Sequence, residues 1–182
     1  GLFDAFPCDA VFGLHNWPGL PVGEVAICSG PAMAAFDVFE IRIHGKGCHA
    51  AMPHNGVDSI VVAAQVVTAL QAIASRQTNP LDQVVVSITQ IHAGDTWNVI
   101  PQEVVLRGTV RTFRASVQDQ TEASLKRIAN NVASAFGASA TIDYQRRYPA
   151  TINSPLQSQW AATAARSVVG DDGVDEAPAP CM

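Results

Sequence analysis

In Asp37-Val38-Phe39-Glu40-Ile41-Arg42-Ile43-His44, apolar and polar residues alternate from Phe39 onward. Successive side chains of a strand point to opposite faces of its sheet, so this alternation predicts a strand with one buried face. The buried face would carry Phe39, Ile41 and Ile43. The exposed face would carry Glu40, Arg42 and His44.

The segments that follow have the periods of two helices and three further strands. A helix is predicted from an N-cap at Asp58 to about Arg76, because its apolar residues fall on one stripe. A second helix is predicted after an N-cap at Ser116 and ends at Gly137. β-branched residues predict three strands, at Val84–His92, Glu103–Phe113 and Ala140–Tyr148.

The order from 35 to 152 is thus strand, helix, strand, strand, helix, strand. It predicts an α+β, ferredoxin-like fold, in which two helices pack on one face of a four-stranded antiparallel sheet. Outside this region we expect short strands at Asp9–Leu14 and Gly23–Ser29, a helix at 154–169 and a linker at 171–182. The predicted division of the chain is therefore 1–34, 35–152 and 153–182.

The charge, the apolar runs and the cysteines of the sequence limit the classes of function to be considered. A net charge of −5 and a pI near 5.4 give no electrostatic support for binding nucleic acid. The longest apolar runs, such as Ile60 to Ala64, are too short to span a bilayer, and no signal peptide is visible. The four cysteines lack C-x-x-C spacing, which favours free thiols in a reducing compartment over disulfides. We therefore expect a cytoplasmic protein that binds neither nucleic acid nor membranes.

A Gly- and Pro-rich segment, Gly45-Lys46-Gly47-Cys48-His49-Ala50-Ala51-Met52-Pro53-His54, follows the first strand. Such a composition is typical of a loop that presents side chains to a ligand. Its histidines are five residues apart with Pro53 between them, which excludes the helical histidine pair of zinc proteases. The loop therefore offers histidines without being a metal motif by itself.

Three residues are candidates for chemistry, and each has a structural alternative. His49 could donate a hydrogen bond to a developing oxyanion, or it is a solvated loop residue. His15 follows a predicted strand, where ligand-binding side chains are common, but a lone histidine makes no zinc site. A polar strand-end residue is the more common case for His15. Asn98 lies in a turn, which it either stabilises or uses to offer its amide to a substrate.

Four motifs occur in this order: Gly13-Leu14-His15, Gly45-x-Gly47-x-His49-Ala50-Ala51-x-Pro53-His54, Asn98-Val99-Ile100-Pro101 and Arg107-Gly108-Thr109-Val110-Arg111. Together they closely resemble the aminoacylase/hippurate-hydrolase family of dinuclear-metal amidohydrolases. This family includes N-acyl-amino-acid amidohydrolases, indole-acetyl-amino-acid hydrolases and relatives of carboxypeptidase G. The resemblance extends from Gly1 to about Asn153.

The resemblance implies an α/β catalytic domain that binds two divalent metal ions, zinc or manganese, with a ferredoxin-like lid inserted into it. Residues 35–152 match the lid, which mediates homodimerisation, and the flanking segments match parts of the catalytic domain. His15 matches a metal ligand, and His49 matches the histidine that polarises the scissile amide carbonyl, often in the partner's active site. Asn98 matches a substrate-binding residue, and Arg111 or Arg107 would pair with a substrate carboxylate.

The family's other metal ligands and its paired glutamates have no counterpart in the 182 residues. We therefore expect an internal portion of an enzyme that hydrolyses N-acyl amino acids such as hippurate. This portion would supply the lid, the dimer interface and the oxyanion-stabilising His49, and would be inactive alone. The alternative is a non-catalytic ferredoxin-like module for dimerisation or for binding a small molecule.

Overall fold

The computed structural model describes all 182 residues. They form two compact units, which are described separately: the smaller joins Gly1–Met33 to Thr151–Cys181, and the larger comprises Ala34–Ala150. The helices are α1 (Leu2–Ala5), α2 (Ser59–Leu70), α3 (Ala115–Ala135) and α4 (Pro155–Val169). The strands are β1 (Val25–Ala26), β2 (Gly30–Met33), β3 (Ala35–His44), β4 (Cys48–His49), β5 (Val84–Ala93), β6 (Val99–Ile100), β7 (Glu103–Thr112), β8 (Ser139–Tyr148), β9 (Thr151–Asn153) and β10 (Val174–Asp175).

The larger unit has the predicted ferredoxin-like fold. Its four long strands lie in the order β5-β7-β3-β8, and every neighbouring pair is antiparallel. Both helices pack on the same face of this sheet, because the side chains on their inner stripes share one core with the inward residues of the strands. The order strand, helix, strand, strand, helix, strand is therefore confirmed, and the sheet leaves β5 and β8 as its two edges.

The core follows the alternation of β3. Ile41 and Ile43 are completely buried and Phe39 is 3% exposed, whereas the residues between them are half-buried. Burying a side chain of this size stabilises the fold by roughly 2 kcal/mol. Their neighbours in the core come from β7 and from the inner stripes of the two helices, chiefly Val104, Leu106, Val110, Val62, Val66, Leu70, Leu125 and Ile128.

Helices α2 and α3 differ at their N-termini, because only α2 has a side-chain cap. The Asp58 carboxylate accepts hydrogen bonds from the backbone N–H groups of Ile60 and Val61, at 3.0 and 3.2 Å, so it is the N-cap that the sequence predicts. The expected cap at Ser116 is wrong, because α3 already begins at Ala115 and has no side-chain cap. The chain leaves α3 through Gly137, whose φ of +75° is a conformation that favours glycine.

Residues Ser59–Gln77, which comprise α2 and the turn after it, are long and apolar enough to cross a membrane by length and composition. In the folded unit Val66, Leu70 and Ile73 of this segment are buried in the core. The segment is therefore accounted for as the core helix of the lid-like unit.

One carboxylate lies inside this unit. Asp37 is 1% exposed and accepts hydrogen bonds from Gln118 Nε2, at 2.8 and 3.0 Å, and from the Tyr144 hydroxyl, at 2.6 Å. Burial, together with the bond to Asp37, raises the pKa of Tyr144 well above its ordinary value, so its hydroxyl stays protonated and remains a donor. The network ties β3 to α3 and β8, which fixes where the sheet and helix meet.

The open face of the sheet is polar. Arg107 donates to Glu40 at 2.6 Å and Arg42 donates to Glu40 at 2.7 Å and to Glu103 at 3.0 Å. The hydrogen bond from Arg107 lowers the pKa of Glu40 below its usual value. These pairs are exposed, so they order the face more than they stabilise the fold.

The smaller unit departs from the sequence prediction at both ends. The expected strand at Asp9–Leu14 is wrong: no strand forms there, and Val11 and Phe12 are 65% and 58% exposed, because no neighbouring strand pairs with them. Residues 171–182 are not a plain linker, since β10 pairs in parallel with β1 and Cys181 bridges to Met33. The helix α4 ends at Gly170, with a φ of +80°.

Candidate functional site

Two distant motifs meet at one end of the larger unit. Strand β4 pairs antiparallel with β6, so that Cys48 lies opposite Ile100 and His49 opposite Val99. The pairing continues through a bond from the Ala50 N–H to the Asn98 carbonyl, at 2.9 Å. We call residues 48–51 and 97–100 the histidine ribbon. The ribbon brings His49 and Asn98, which are distant in sequence, to adjacent positions.

The glycines of this region permit close backbone contacts. A Cβ on Gly45 would lie 2.3 Å from the Val57 carbonyl oxygen, and one on Gly56 would lie 2.4 Å from the Lys46 carbonyl oxygen and 2.5 Å from Cys48 Sγ. Neither glycine has a positive φ. Glycine is therefore required at both positions for packing. The segments around Lys46 and Val57 lie so close to each other that a side chain would not fit between them.

The His49 side chain is exposed and held by one hydrogen bond. Its Nδ1 accepts from the Ala51 backbone N–H at 3.1 Å. An accepting Nδ1 carries no proton, so the ring proton of this tautomer lies on Nε2. The arrangement leaves an N–H donor pointing away from its own loop, and such a donor can stabilise an oxyanion on a bound substrate.

The Asn98 amide is also available to a ligand. Its Oδ1 accepts only a long bond from Thr96 Oγ1, at 3.4 Å, while its main-chain carbonyl holds the ribbon together. An exposed side-chain amide offers a donor to a polar group of a substrate. The geometry thus brings together two of the residues that the sequence singles out.

Arg111 lies elsewhere. It pairs opposite Phe36 at the start of β3, where its guanidinium carbon is 4.2 Å from the Phe36 ring centroid and its Nη1 donates to the Tyr148 hydroxyl at 3.3 Å. The histidine ribbon adjoins the other end of β7, eight residues away, or about 27 Å along a strand. Within one protomer Arg111 is therefore far from His49. The alternative arginine, Arg107, is already paired with Glu40.

His15 is exposed in the smaller unit, and its ring contacts Trp17 edge to face at a centroid distance of 6.1 Å. No group of three or more His, Cys, Asp or Glu side chains is placed to hold a metal ion. A two-metal centre needs more donors than this. The residues of this chain alone therefore do not fit such a centre.

Trp97 is an exposed residue of the ribbon that the sequence motifs do not single out. It precedes Asn98 in the ribbon and its side chain is fully exposed, at 103%. Met52 and Val99 nearby are 51% and 47% exposed. The signal was present in the motif Thr96-Trp97-Asn98, since a tryptophan in a polar turn is unusual unless something covers it.

Comparisons with known proteins agree with this geometry. The model of the M20 peptidase dimerisation domain matches residues 36–137. N-acetyl-L-cysteine deacetylase of Bacillus subtilis is 45% identical over 80% of this chain, and N-acyl-L-amino acid amidohydrolase of Geobacillus stearothermophilus is 46% identical over 80%. The matched regions are 35% and 39% of those proteins, so the chain spans well under half of their length.

Solved structures include a similar one from Bacillus subtilis, described as a dinuclear metal-binding peptidase of the M20 family. It superposes with a TM-score of 0.70 at 32% identity, over 91% of this chain and 41% of that one. The fold, the order of the motifs and the sequence matches agree, and the resemblance found in the sequence is confirmed. The chain belongs to the M20 peptidase dimerisation-domain family.

Proposed function

We propose that this chain is an internal portion of a metal-dependent amidohydrolase, which cleaves the amide bond of N-acyl amino acids such as hippurate. The observation that carries the proposal is the histidine ribbon, where His49 presents an Nε2–H donor and Asn98 is paired through its main chain with the next residue, Ala50. The names of the relatives, a deacetylase and an N-acyl-amino-acid amidohydrolase, support the same substrate class.

In this proposal His49 acts on the acyl carbonyl. Its Nε2–H donates to the carbonyl oxygen, on which negative charge develops as the amide is attacked. The Ala51 N–H fixes the ring orientation, because it holds Nδ1 at 3.1 Å. Asn98 donates to a second polar group of the substrate. His49 itself transfers no proton in this scheme.

The position of Arg111 supports a site shared between two subunits. An N-acyl amino acid such as hippurate is much shorter than the roughly 27 Å between Arg111 and the histidine ribbon, measured along β7. One lid therefore does not offer both groups to one substrate, whereas two lids of a homodimer can. We infer that His49 of one protomer serves the site in which the other protomer's Arg111 binds the substrate carboxylate.

The metal centre belongs to the full-length enzyme. Two divalent ions, zinc or manganese, would activate the attacking water there, with His15 as one ligand and the others from residues outside this chain. For the isolated chain a second function is favoured by the lack of a metal-ligand cluster. That function is a non-catalytic module for dimerisation or for binding a small molecule.

Assays of both forms test the proposal. The full-length enzyme loaded with zinc or manganese is expected to release benzoate from hippurate or acetate from N-acetyl amino acids, and a chelator is expected to abolish this. The 182-residue chain should have no activity with either metal. Hydrolysis by the isolated chain would contradict the fragment assignment, and a metal-loaded full-length protein inert toward every N-acyl amino acid would contradict the function.

Homodimerisation is part of the proposal, and the distribution of charge indicates the surface. The twelve residues of α2 and the ten of β5 contain no Asp, Glu, Lys or Arg. In contrast, α3 and β8 carry Asp119, Glu122, Lys126, Arg127, Asp143, Arg146 and Arg147. Charged residues protect an edge strand from pairing, and β5 lacks them. We propose that a second copy docks on β5 and on the exposed face of α2, which includes Ile60 and Val61.

Lysine substitutions distinguish the two sides of the lid. The double change Ala64→Lys and Thr89→Lys places charges on α2 and β5 and is expected to raise the dimer dissociation constant by about 100-fold or more, because the lysines would be buried between copies. The matched control is Ala123→Lys with Thr141→Lys, at exposed positions of α3 and β8. Sedimentation velocity measures both. Dissociation of the control alone would assign the interface to the charged side.

Localisation stays a proposal as well. Cys8, Cys28 and Cys48 are free thiols. Free thiols are typical of a reducing compartment, and on this ground we propose the cytoplasm.

A further inference from the structure

Trp97 is the most exposed aromatic residue near His49, and nothing in its own unit covers it. The ribbon register places it close to the imidazole. His49 lies opposite Val99, and the Ala50 N–H donates to the carbonyl of Asn98, the residue that follows Trp97. Trp97 and Asn98 form the turn that leads into β6. Trp97 is two residues from Val99, which is at most about 7 Å along the chain and within the reach of an indole side chain.

The histidine ribbon carries no charged side chain. The eight residues of the ribbon include no Asp, Glu, Lys or Arg. Met52 and Val99 are about half exposed beside it. A substrate carboxylate has no cation of the ribbon to pair with, whereas an apolar group would cover surface that is otherwise in water.

We propose that Trp97, with Met52 and Val99, binds the acyl group of the substrate and sets the preference for large acyl groups. The inference rests on the proposed function. If His49 Nε2 donates to the acyl carbonyl oxygen, the acyl chain begins at the carbon of that same carbonyl. It therefore lies within reach of the side chains that flank His49. An aromatic face of this kind packs well on a flat acyl group such as benzoyl.

The test compares two substrates with the same amino acid, N-benzoylglycine and N-acetylglycine, on the metal-loaded full-length enzyme. Trp97→Ala is expected to lower the ratio of kcat/KM for benzoyl over acetyl by about tenfold, because only the benzoyl ring loses its contact. Trp97→Phe should keep most of the ratio. Leu81→Ala is the control, since Leu81 is 88% exposed in the loop at the opposite end of β5.

The possible outcomes distinguish the acyl-group role of Trp97 from the proposed hydrolytic function on which it rests. Wild-type enzyme that cleaves neither substrate contradicts the proposed function. Cleavage of both, with a ratio that Trp97→Ala leaves unchanged or with an equal loss on both, overturns the acyl-group role. Sedimentation of the Trp97→Ala variant tests whether Trp97 instead lies in a subunit interface. Dissociation of this variant into monomers would assign Trp97 to such an interface and would also overturn the proposal.

A spectroscopic measurement tests the same contact without turnover. Benzoate, the acyl product, is expected to shift the tryptophan emission of the full-length enzyme, and acetate to shift it less. The shift should disappear in Trp97→Phe. A benzoate-dependent shift that survives in this variant places the acyl group at another tryptophan and contradicts the proposal.

Discussion

Replacing His49 by alanine in the full-length enzyme is expected to lower kcat by about 10²–10³-fold while both metal ions are retained. The magnitude is that of removing one donor from an oxyanion site. The Nε2–H of His49 has no other partner in the lid, and its ring is held only through Nδ1. Steady-state kinetics with N-acetyl and N-benzoyl amino acids, together with metal content by mass spectrometry, measure the two quantities separately.

His54→Ala is the matched control, because His54 is an exposed histidine of the same loop. It should leave kcat within about threefold of wild type, as expected for a surface change outside the site. His15→Ala, in contrast, is expected to reduce metal content. Equal metal loss in the His49 and His15 variants would refute the division of roles between them.

Replacing glycines of the larger unit by alanine should lower the free energy of unfolding, and the loss should be greatest where an added Cβ has the least space. Gly45→Ala and Gly56→Ala are expected to cost about 2–3 kcal/mol or more of unfolding free energy, because a methyl group there overlaps a backbone carbonyl. Gly47→Ala should cost less, since its nearest atom would be the Ile100 carbonyl oxygen at 3.1 Å. Denaturant titration of the 182-residue chain measures the differences.

Gly13→Ala provides the baseline of this series, since a Cβ there would have nothing within 4 Å. We expect it to be neutral, or slightly stabilising through the unfolded chain. Loss of the same free energy in all four variants would mean that conformational freedom, not space, is what these glycines provide.

The lid could be predicted from the sequence because its signals are local. The alternation in β3 and the Asp58 cap each act over a few residues, and tertiary contacts reinforce them. The start of α3 could not be predicted in the same way. Ser116 has the chemistry of a cap, but the helix begins one residue earlier, where Arg114 is tied to Asp82 at 2.6 Å. Helix boundaries vary by one or two residues, so a local cap preference alone does not fix the first residue of a helix.

The sequence proposes members of the candidate site, but it does not give their geometry. The motifs identify His49, Asn98 and Arg111, yet only the register of β4 with β6 shows that His49 and Asn98 are adjacent. The length of β7 separates Arg111 from both. The Gly- and Pro-rich composition around His49 predicts a loop that presents side chains, and the structure shows that Gly45 and Gly56 also allow two backbone segments to touch.

The bond from the Ala51 N–H to His49 Nδ1 determines how the imidazole can act on a ligand. The ring proton of this tautomer lies on Nε2, which is then the ring atom that can donate to a bound carbonyl. A histidine held in this manner can polarise a carbonyl without exchanging protons with it, so in the proposed hydrolysis we expect other groups to carry out the acid–base steps.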